Sequence, residues 1–376
     1  MDRNVEYRTG TPDERAEIID FANYVFSQAH RPHDFKTLLP KTYADDAPDF
    51  SSWHYLAVQD RHIRALVSCR PTDLYLGNGK LSCGCVGTVS VHPYARGEGH
   101  MKQLMALMLE DSKKRGYDML FLGGQRQRYQ YFGFETACIC AEYTMTASSV
   151  RHALADVDDS GVVFTEITRD MERELAFAWD LANKQTLHGG RPKDEFLNIM
   201  HSWNSAFRLI TIDGTRAGYV MGNVGELVLT DEDLLPRVIK ALMRDTAGNR
   251  FSISVALHET DRMKTLEKIC DYRGFGMGEM VNVLNWKNTL SVLLSFKASF
   301  MRLNDMAAEL DIDGEKLKIE VKDGIPAVSE GGDGTIRLTH LEAEQLMFGF
   351  EGTLLPDARF GNIFPLPLYI GSADTY

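Results

Sequence analysis

Hydrophobic and polar residues follow two alternating periods along the chain. Residues 11–26 place apolar side chains every three or four positions behind a Thr-Pro-Asp-Glu start, which predicts a helix with Thr11 as its N-cap. A second helical pattern puts Met101, Leu104 and Met108 on one face. Between and after these helices, short apolar runs predict strands at residues 55–60, 63–68, 81–91 and 117–122. The alternation predicts a mixed fold of the α+β class.

The same order of elements recurs after a polar stretch at residues 150–161. The sequence Gly274-Phe275-Gly276 near the end of this second part echoes Phe132-Gly133-Phe134 in the first, which indicates a degenerate duplication. A third segment with its own helix and hairpin begins near residue 287. We therefore predict three domains, at residues 1–148, 149–286 and 287–376.

Charge and composition narrow the class of protein. The chain carries 41 basic and 53 acidic residues, a net charge of −12, which argues against a nucleic-acid partner. A negative surface suits a cationic substrate, although it also serves solubility alone. We find no apolar run long enough for a bilayer and no secretory signal at the N-terminus, so we expect a cytoplasmic protein with no membrane partner. The six cysteines are expected to be reduced and structural, and we predict no metal site.

One stretch carries candidate chemistry. The strand residues Val89-Ser90-Val91 lead through His92-Pro93 and a glycine-bearing turn, Arg96-Gly97-Glu98-Gly99, into the second helix. Free N–H groups at a helix start bind phosphate, and glycine allows close approach of an anion. Neither the P-loop motif nor the dinucleotide motif fits this turn. On the residues alone, it is either an anion site or an ordinary strand-to-helix turn.

The setting of this turn resembles the GNAT family of acetyl-coenzyme A-dependent N-acetyltransferases. That family carries Gln/Arg-x-x-Gly-x-Gly/Ala after Val-x-Val-x-Pro, and this chain matches except at Met101, where the family has a small residue. The resemblance implies that acetyl-coenzyme A is the cosubstrate. It assigns the contacts to Val89, Ser90, Val91, Arg96, Gly97, Glu98, Gly99, His100 and Met101.

The chain as a whole is similar to the Eis-like (enhanced intracellular survival) subgroup. This resemblance implies tandem GNAT folds followed by a sterol-carrier-protein-like domain, and assembly into a homo-oligomer, a hexamer. It also implies acetyl transfer to the primary amine of an aminoglycoside, a polyamine or a lysine. Asp231-Glu232-Asp233 stand at the matching helix start of the second copy and would repel pyrophosphate. We therefore expect the second copy to form a wall of the substrate site and to bind no coenzyme A. The alternatives are a lipid-binding or scaffold protein that uses the third domain, and a non-catalytic acetyl-coenzyme A sensor.

The resemblance also assigns two proton transfers. Tyr129 matches the general acid of Eis-like enzymes, and a phenol is protonated near neutral pH. The C-terminal carboxylate of Tyr376 matches the base, although an α-carboxylate is weakly basic in water unless it is desolvated. The pattern of residues alone favours core packing for Tyr129, and the resemblance reverses that interpretation. Tyr131 is the nearest rival, and the alternative for Tyr376 is a frayed terminus. His92 is the second candidate for the base.

The acceptor pocket of the family lies behind the first helix. Phe26, His30, His33 and Phe35 occupy that region here, and Phe26 and Phe35 are predicted as substrate contacts. Gln28 stands near a position where some relatives carry an acidic residue, so the acceptor stays undefined. Each of these residues is also consistent with plain core or surface.

Overall fold

The computed structural model describes residues 5–29, 31–246, 248–349 and 357–376. These residues form an α+β fold with four sheets. The first part of the chain contains seven strands and five α-helices among its described residues: β1 (Val5–Thr9), α1 (Arg15–Ala29), α2 (Phe35–Leu38), α3 (Pro40–Tyr43), β2 (His54–Gln59), β3 (His62–Leu76), β4 (Gly79–Val91), α4 (His100–Lys114), β5 (Met119–Leu122), α5 (Arg126–Gln130), β6 (Glu135–Thr136) and β7 (Ile139–Thr146).

The second and third parts follow without a long interruption. The second part comprises α6 (Ala147–Ala153), β8 (Val162–Glu166), α7 (Glu172–Ala182), β9 (Leu187–Gly189), α8 (Phe196–His201), β10 (Phe207–Ile212), β11 (Thr215–Met221), β12 (Glu226–Leu229), α9 (Leu235–Asp245), β13 (Arg250–Ala256), α10 (Thr260–Glu267), β14 (Tyr272–Met277) and β15 (Met280–Val283). The third comprises α11 (Trp286–Phe300), β16 (Met306–Ile312), β17 (Glu315–Lys322), β18 (Ile325–Glu330), β19 (Ile336–Leu338) and α12 (His340–Phe348).

Local sequence signals set most of these boundaries. Thr11 and Glu14 form the predicted capping interaction, in which the backbone N–H of Thr11 donates to Glu14 Oε2 at 2.9 Å. Helix α4 ends at Lys114, and Gly116 follows with φ of +76°, a conformation that favours glycine. The helix predicted from residue 231 begins later, since residues 232–234 form a 3-10 turn and Pro236 lies in the first turn of α9.

The first two parts exchange strands. The first sheet has the order β1-β2-β3-β4-β5-β15-β6, so β15 from the second part lies between two strands of the first. In return β7 lies between β13 and β14 of the second part. Strand pairing therefore crosses the predicted boundary at 148/149 in both directions. The division of the chain into three domains stays a prediction.

The first sheet has a hydrophobic core on each face. One core contains Leu104 and Met105 of α4 together with Tyr129 and Met280. The opposite core contains Cys85, Phe121 and Val281 together with the apolar face of α11 and the C-terminal tail. The tail, residues 357–376, has no strand and only a short 3-10 turn, yet it buries Ile363, Leu366, Leu368 and Ile370. The chain end is thus packed against the first sheet.

Within the described part of the chain, no helix has the length and apolar character required to span a bilayer. No cluster of three or more potential metal-ligating side chains occurs in the same residues. All six cysteines are free thiols, and five of them are buried, as expected for structural residues.

Candidate active site

The turn between β4 and α4 has the geometry of an anion site. Gly97 and Gly99 adopt φ of +87° and +83°, and Gly99 is the N-cap of α4. Because glycine offers no capping side chain, the first N–H groups of α4 have neither an intrahelical partner nor a side-chain cap. Gly97, Gly99 and Arg96 are exposed, so backbone donors and a guanidinium face solvent together. This arrangement can hold a phosphate or pyrophosphate group.

The side chains of Glu98 and His100 hold the turn in shape. His100 is buried, its Nδ1 lies 2.9 Å from the Tyr7 hydroxyl, and its Nε2 lies 3.1 Å from Glu98 Oε2. These contacts tie the turn to β1. Glu98 and His100 therefore offer a ligand their backbone groups, whereas Arg96 offers its side chain. Met101 packs partly against the core that contains Leu104.

Strands β4 and β5 stop pairing on the way to this turn, and the gap beyond their last paired residues is the cleft. The two strands pair in parallel only at Cys83–Met119, Gly84–Leu120 and Cys85–Phe121. Strand β5 ends at Leu122, whereas β4 runs on to Val91, so Val86–Val91 has no strand partner on that side within the described chain. An acyl chain that enters the cleft would meet the free backbone groups of this edge.

In the same stretch of β4, a β-bulge interrupts the pairing with β3 on the other side. The register with β3 shifts between Leu66–Ser90 and Ser68–Gly87, and Thr88 takes φ of +49°. Val89 and Val91 are partly buried, and Ser90 is buried with its hydroxyl donating to the Thr88 carbonyl at 3.2 Å. The predicted residues Val89, Ser90 and Val91 therefore follow a local irregularity, on the stretch of β4 that has no partner on the β5 side within the described chain.

Tyr129 lies on the α4 face of this cleft. It belongs to α5, is 7% exposed, and packs edge-on against Phe134 at a ring distance of 6.4 Å. A Cβ placed on Gly124, just past β5, would lie 2.8 Å from Tyr129 Cε2, so the ring sits at the end of that strand. Burial raises the pKa of the phenol and Arg128 opposes the shift, so the hydroxyl stays protonated at neutral pH. Its rival Tyr131 is 65% exposed and stacks edge-on against Phe132.

Tyr376 lies on the opposite face of the same sheet. Its ring covers Gly87, where any side chain would overlap it, and its hydroxyl forms a hydrogen bond with the Ser68 hydroxyl. Burial raises the pKa of this phenol, although its hydrogen bonds with Ser68 and Tyr43 act to lower the pKa. Gly87 adjoins the bulge at Thr88, so the terminal residue reaches the cleft region that the sequence resemblance implied.

Buried charges from distant elements hold the tail. Lys41 is 1% exposed, and its Nζ donates to the carbonyl oxygens of Ala373, at 3.1 Å, and of Thr375. Asp374 forms two hydrogen bonds with Arg191, at 2.8 and 2.9 Å, and Arg191 forms two more with Glu226 of β12, both at 2.7 Å. Burial lowers the pKa of Lys41 to about 8. No local sequence pattern predicts these contacts, since their partners are far apart along the chain.

The predicted acceptor contacts divide between core and surface. Phe35 is 1% exposed and packs against Tyr43. The Tyr43 hydroxyl lies 2.8 Å from Thr88 Oγ1, so Tyr43 separates Phe35 from the cleft. Phe26 is half-buried and packs edge-on against Phe35. His33 stacks on the same two rings. Gln28 is exposed, and His30 lies outside the described residues. Direct substrate contact by Phe26 or Phe35 stays a prediction.

His92, the second candidate base, lies at the end of β4. Burial, and then repulsion from Arg64, lowers its pKa, so the imidazole is neutral near pH 7. Its ring stacks on Tyr24 at 5.3 Å, and its Nδ1 accepts from the Tyr94 N–H at 3.3 Å. This hydrogen bond engages one ring nitrogen in the turn.

The matching turn of the second part is built differently. Asp231 caps it by accepting from the Asp233 N–H at 2.9 Å, and Glu232 pairs with Arg262. A cavity of about 330 Å³ lies nearby between β12 and β13, and its walls include Arg191, Glu226 and Asp374. The helix start that would receive a phosphate is therefore already filled by carboxylates of the chain itself.

Comparison with known proteins finds a family model that matches the first part of the chain. Residues 6–137 match the model of the acetyltransferase (GNAT) domain. No curated protein is similar enough in sequence to count as a relative. A GCN5-related N-acetyltransferase from Kribbella flavida aligns with 99% of this chain and 100% of its own, with a TM-score of 0.67 and 13% identity.

Two further solved structures share the architecture. A conserved protein from Enterococcus faecalis V583, described as a probable N-acyltransferase, aligns over 99% of this chain and 100% of its own, with a TM-score of 0.71 and 14% identity. Eis1 from Mycobacterium abscessus aligns over 92% and 90%, with a TM-score of 0.63 and 11% identity. At these identities the likeness concerns the fold, and the match to the acetyltransferase (GNAT) domain is confined to residues 6–137.

We expect acetyl-coenzyme A to bind at one site per chain, and Gly99→Asp to weaken that binding by about 100-fold or more, because a carboxylate would stand beside the pyrophosphate. Gly99→Ala introduces backbone strain without charge and should weaken binding less. Isothermal titration calorimetry measures both effects. Asp231→Asn, at the matching turn of the second part, is the control and should bind like the wild type. Two sites per chain, or equal losses for Asp and Ala, would contradict the assignment.

Proposed function

We propose that the GNAT acetyltransferase domain at residues 6–137 transfers the acetyl group of acetyl-coenzyme A to a primary amine. The observation that carries this proposal is the cleft between β4 and β5, which has an uncapped, glycine-bearing helix start beside it and Tyr129 and Tyr376 on its two faces. The helix start and Arg96 suit the pyrophosphate, and the unpaired edge of β4 suits the thioester carbonyl.

The two tyrosines have different parts in this proposal. The terminal carboxylate of Tyr376 takes a proton from the acceptor ammonium, and the neutral nitrogen then attacks the thioester carbonyl. As the carbon–sulfur bond breaks, the Tyr129 hydroxyl donates its proton to the departing thiolate and is reprotonated from solvent. The raised pKa of Tyr129 keeps the phenol protonated at neutral pH, so it has a proton to donate to the thiolate.

The acceptor class, assembly and location extend this proposal on the strength of the resemblance. We carry over an aminoglycoside, a polyamine or a lysine side chain as acceptor, a hexamer as the assembly, and the cytoplasm as the location. The third part, residues 287–376, is proposed as the sterol-carrier-like domain. The test of the basic activity is release of free coenzyme A thiol from acetyl-coenzyme A with a panel of amines, compared with the rate without amine.

Tyr129→Phe should lower kcat by about 10- to 10⁴-fold and leave the affinity for acetyl-coenzyme A unchanged, because it removes a proton donor and little else. Steady-state thiol release and calorimetry measure the two quantities. Tyr131→Phe is the matched control, since Tyr131 is exposed and close in sequence. If Tyr131→Phe loses turnover while Tyr129→Phe keeps it, the acid is Tyr131.

Deleting Tyr376, or extending the chain by a few residues, should lower kcat by about tenfold or more while acetyl-coenzyme A still binds. The reason is that both changes displace the terminal carboxylate from the cleft. Tyr376→Phe is the control: it keeps the carboxylate and the ring over Gly87 and loses only the hydroxyl contact with Ser68, so it should keep most of its turnover. Full turnover in the extended protein would return the base role to His92 or to water.

A further inference from the structure

Glu279 is a carboxylate beside the cleft that the proposed reaction does not use. It precedes β15, whose residue Met280 pairs with Leu122, the last residue of β5. A Cβ placed on Gly123 would lie 3.0 Å from Glu279 Oε2 and 3.5 Å from Oε1. The carboxylate therefore lies over the backbone where β5 ends and the cleft begins.

This carboxylate lacks a partner within the described chain. Its Oε2 is buried without a hydrogen bond, although the residue as a whole keeps partial exposure. Lys41 is close enough to oppose the effect of burial on the pKa of Glu279, but its Nζ is already bonded to the carbonyl oxygens of Ala373 and Thr375. Burial raises the pKa of Glu279. Since an unpaired buried carboxylate is costly, its place at the cleft suggests that a ligand completes it.

Glu279 lies on the same face of the sheet as Tyr376. Side chains alternate along a strand, so Glu279 shares a face with Val281, which packs with Cys85 and the tail. Burial raises the pKa of the Cys85 thiol, and the Glu279 carboxylate is close enough to add to that shift. Met280 points to the other face, which holds Tyr129 and α4. In the proposed reaction the amine meets its base, the Tyr376 carboxylate, on the face that also carries Glu279.

We propose that Glu279 binds the ammonium group of the acceptor and keeps a hydrogen bond to its nitrogen throughout the transfer. This inference rests on the proposed function. An ammonium group has three N–H bonds: one proton passes to the terminal carboxylate, while a second N–H donates to Glu279 and aims the lone pair at the thioester carbonyl. The nitrogen–carbon bond forms, the carbon–sulfur bond breaks, and the thiolate takes the proton of Tyr129. Glu279 itself gains and loses no proton.

The role predicts a dependence on the charge of the acceptor. Glu279→Gln keeps an acceptor oxygen but removes the negative charge. With propylamine, which is cationic near neutral pH, the variant should show a KM raised about tenfold or more and a kcat within about threefold of wild type. With aniline, which is uncharged there, KM should change less than about twofold. A structural defect would affect the two amines alike.

Binding is measured separately from turnover. Calorimetry of propylamine into the coenzyme A-loaded protein should give an affinity about tenfold weaker or worse for Glu279→Gln than for wild type. Glu344→Gln is the matched control, because Glu344 is a buried glutamate beside the other end of β15, where it accepts from the Val283 N–H. It should bind both amines like the wild type. If Glu279→Gln does not fold, Glu279→Asp keeps the charge and should keep the preference for propylamine.

Three outcomes would overturn the inference: equal propylamine affinity in wild type and Glu279→Gln, equal losses with both amines, or a lower kcat at unchanged KM, which would make Glu279 the base. Absence of turnover with every amine tested would instead contradict the proposed function. The binding comparison still decides the role of Glu279 in that case.

Discussion

The position of the chain end depends on a buried arginine. Arg191 is 6% exposed and stands between two carboxylates, Asp374 of the tail and Glu226 of β12. A guanidinium cannot lose its charge and is strongly destabilising when it is buried without partners, so both carboxylates are needed to satisfy its donors. Burial alone would raise the pKa of Asp374, but Arg191 lowers it, so Asp374 stays ionised in the native state. The tail is therefore fixed by a group that belongs to the second part of the chain.

Through this contact the second part of the chain holds the tail, although carboxylates fill the helix start in its own turn. Its β12 supplies Glu226, the segment before α8 supplies Arg191, and together they hold the last residues of the chain over the first sheet. The strand exchange adds a second link, since β15 completes the first sheet and brings Glu279 to the cleft. The site of the first part is thus assembled by segments from all three parts.

The features that sequence predicted are the ones determined locally. The turn around Gly97 and Gly99 follows from positive φ values and a helix start, and the Thr11–Glu14 interaction follows from their spacing. The bulge at Thr88, the exchange of β7 and β15, and the contact of Lys41 with Ala373 depend on tertiary packing between distant segments, so no short pattern encodes them. No short pattern identifies Glu279 either, because its position against Gly123 depends on the same tertiary packing. Phe35, which the resemblance assigns to the acceptor pocket, lies in the core behind Tyr43, and its contact with a substrate stays a prediction.

The central claim is that Arg191 and Asp374 act on the reaction by positioning the terminal carboxylate. A double-mutant cycle of Asp374→Ala and deletion of Tyr376 tests it, with kcat for one responsive amine as the readout. Glu226 keeps Arg191 paired in the Asp374 variant, so the fold should persist. The account predicts that Asp374→Ala lowers kcat by about tenfold in the full-length chain and has almost no further effect once Tyr376 is absent. If the two losses multiply instead, Asp374 acts independently of the terminus, and the claim is wrong.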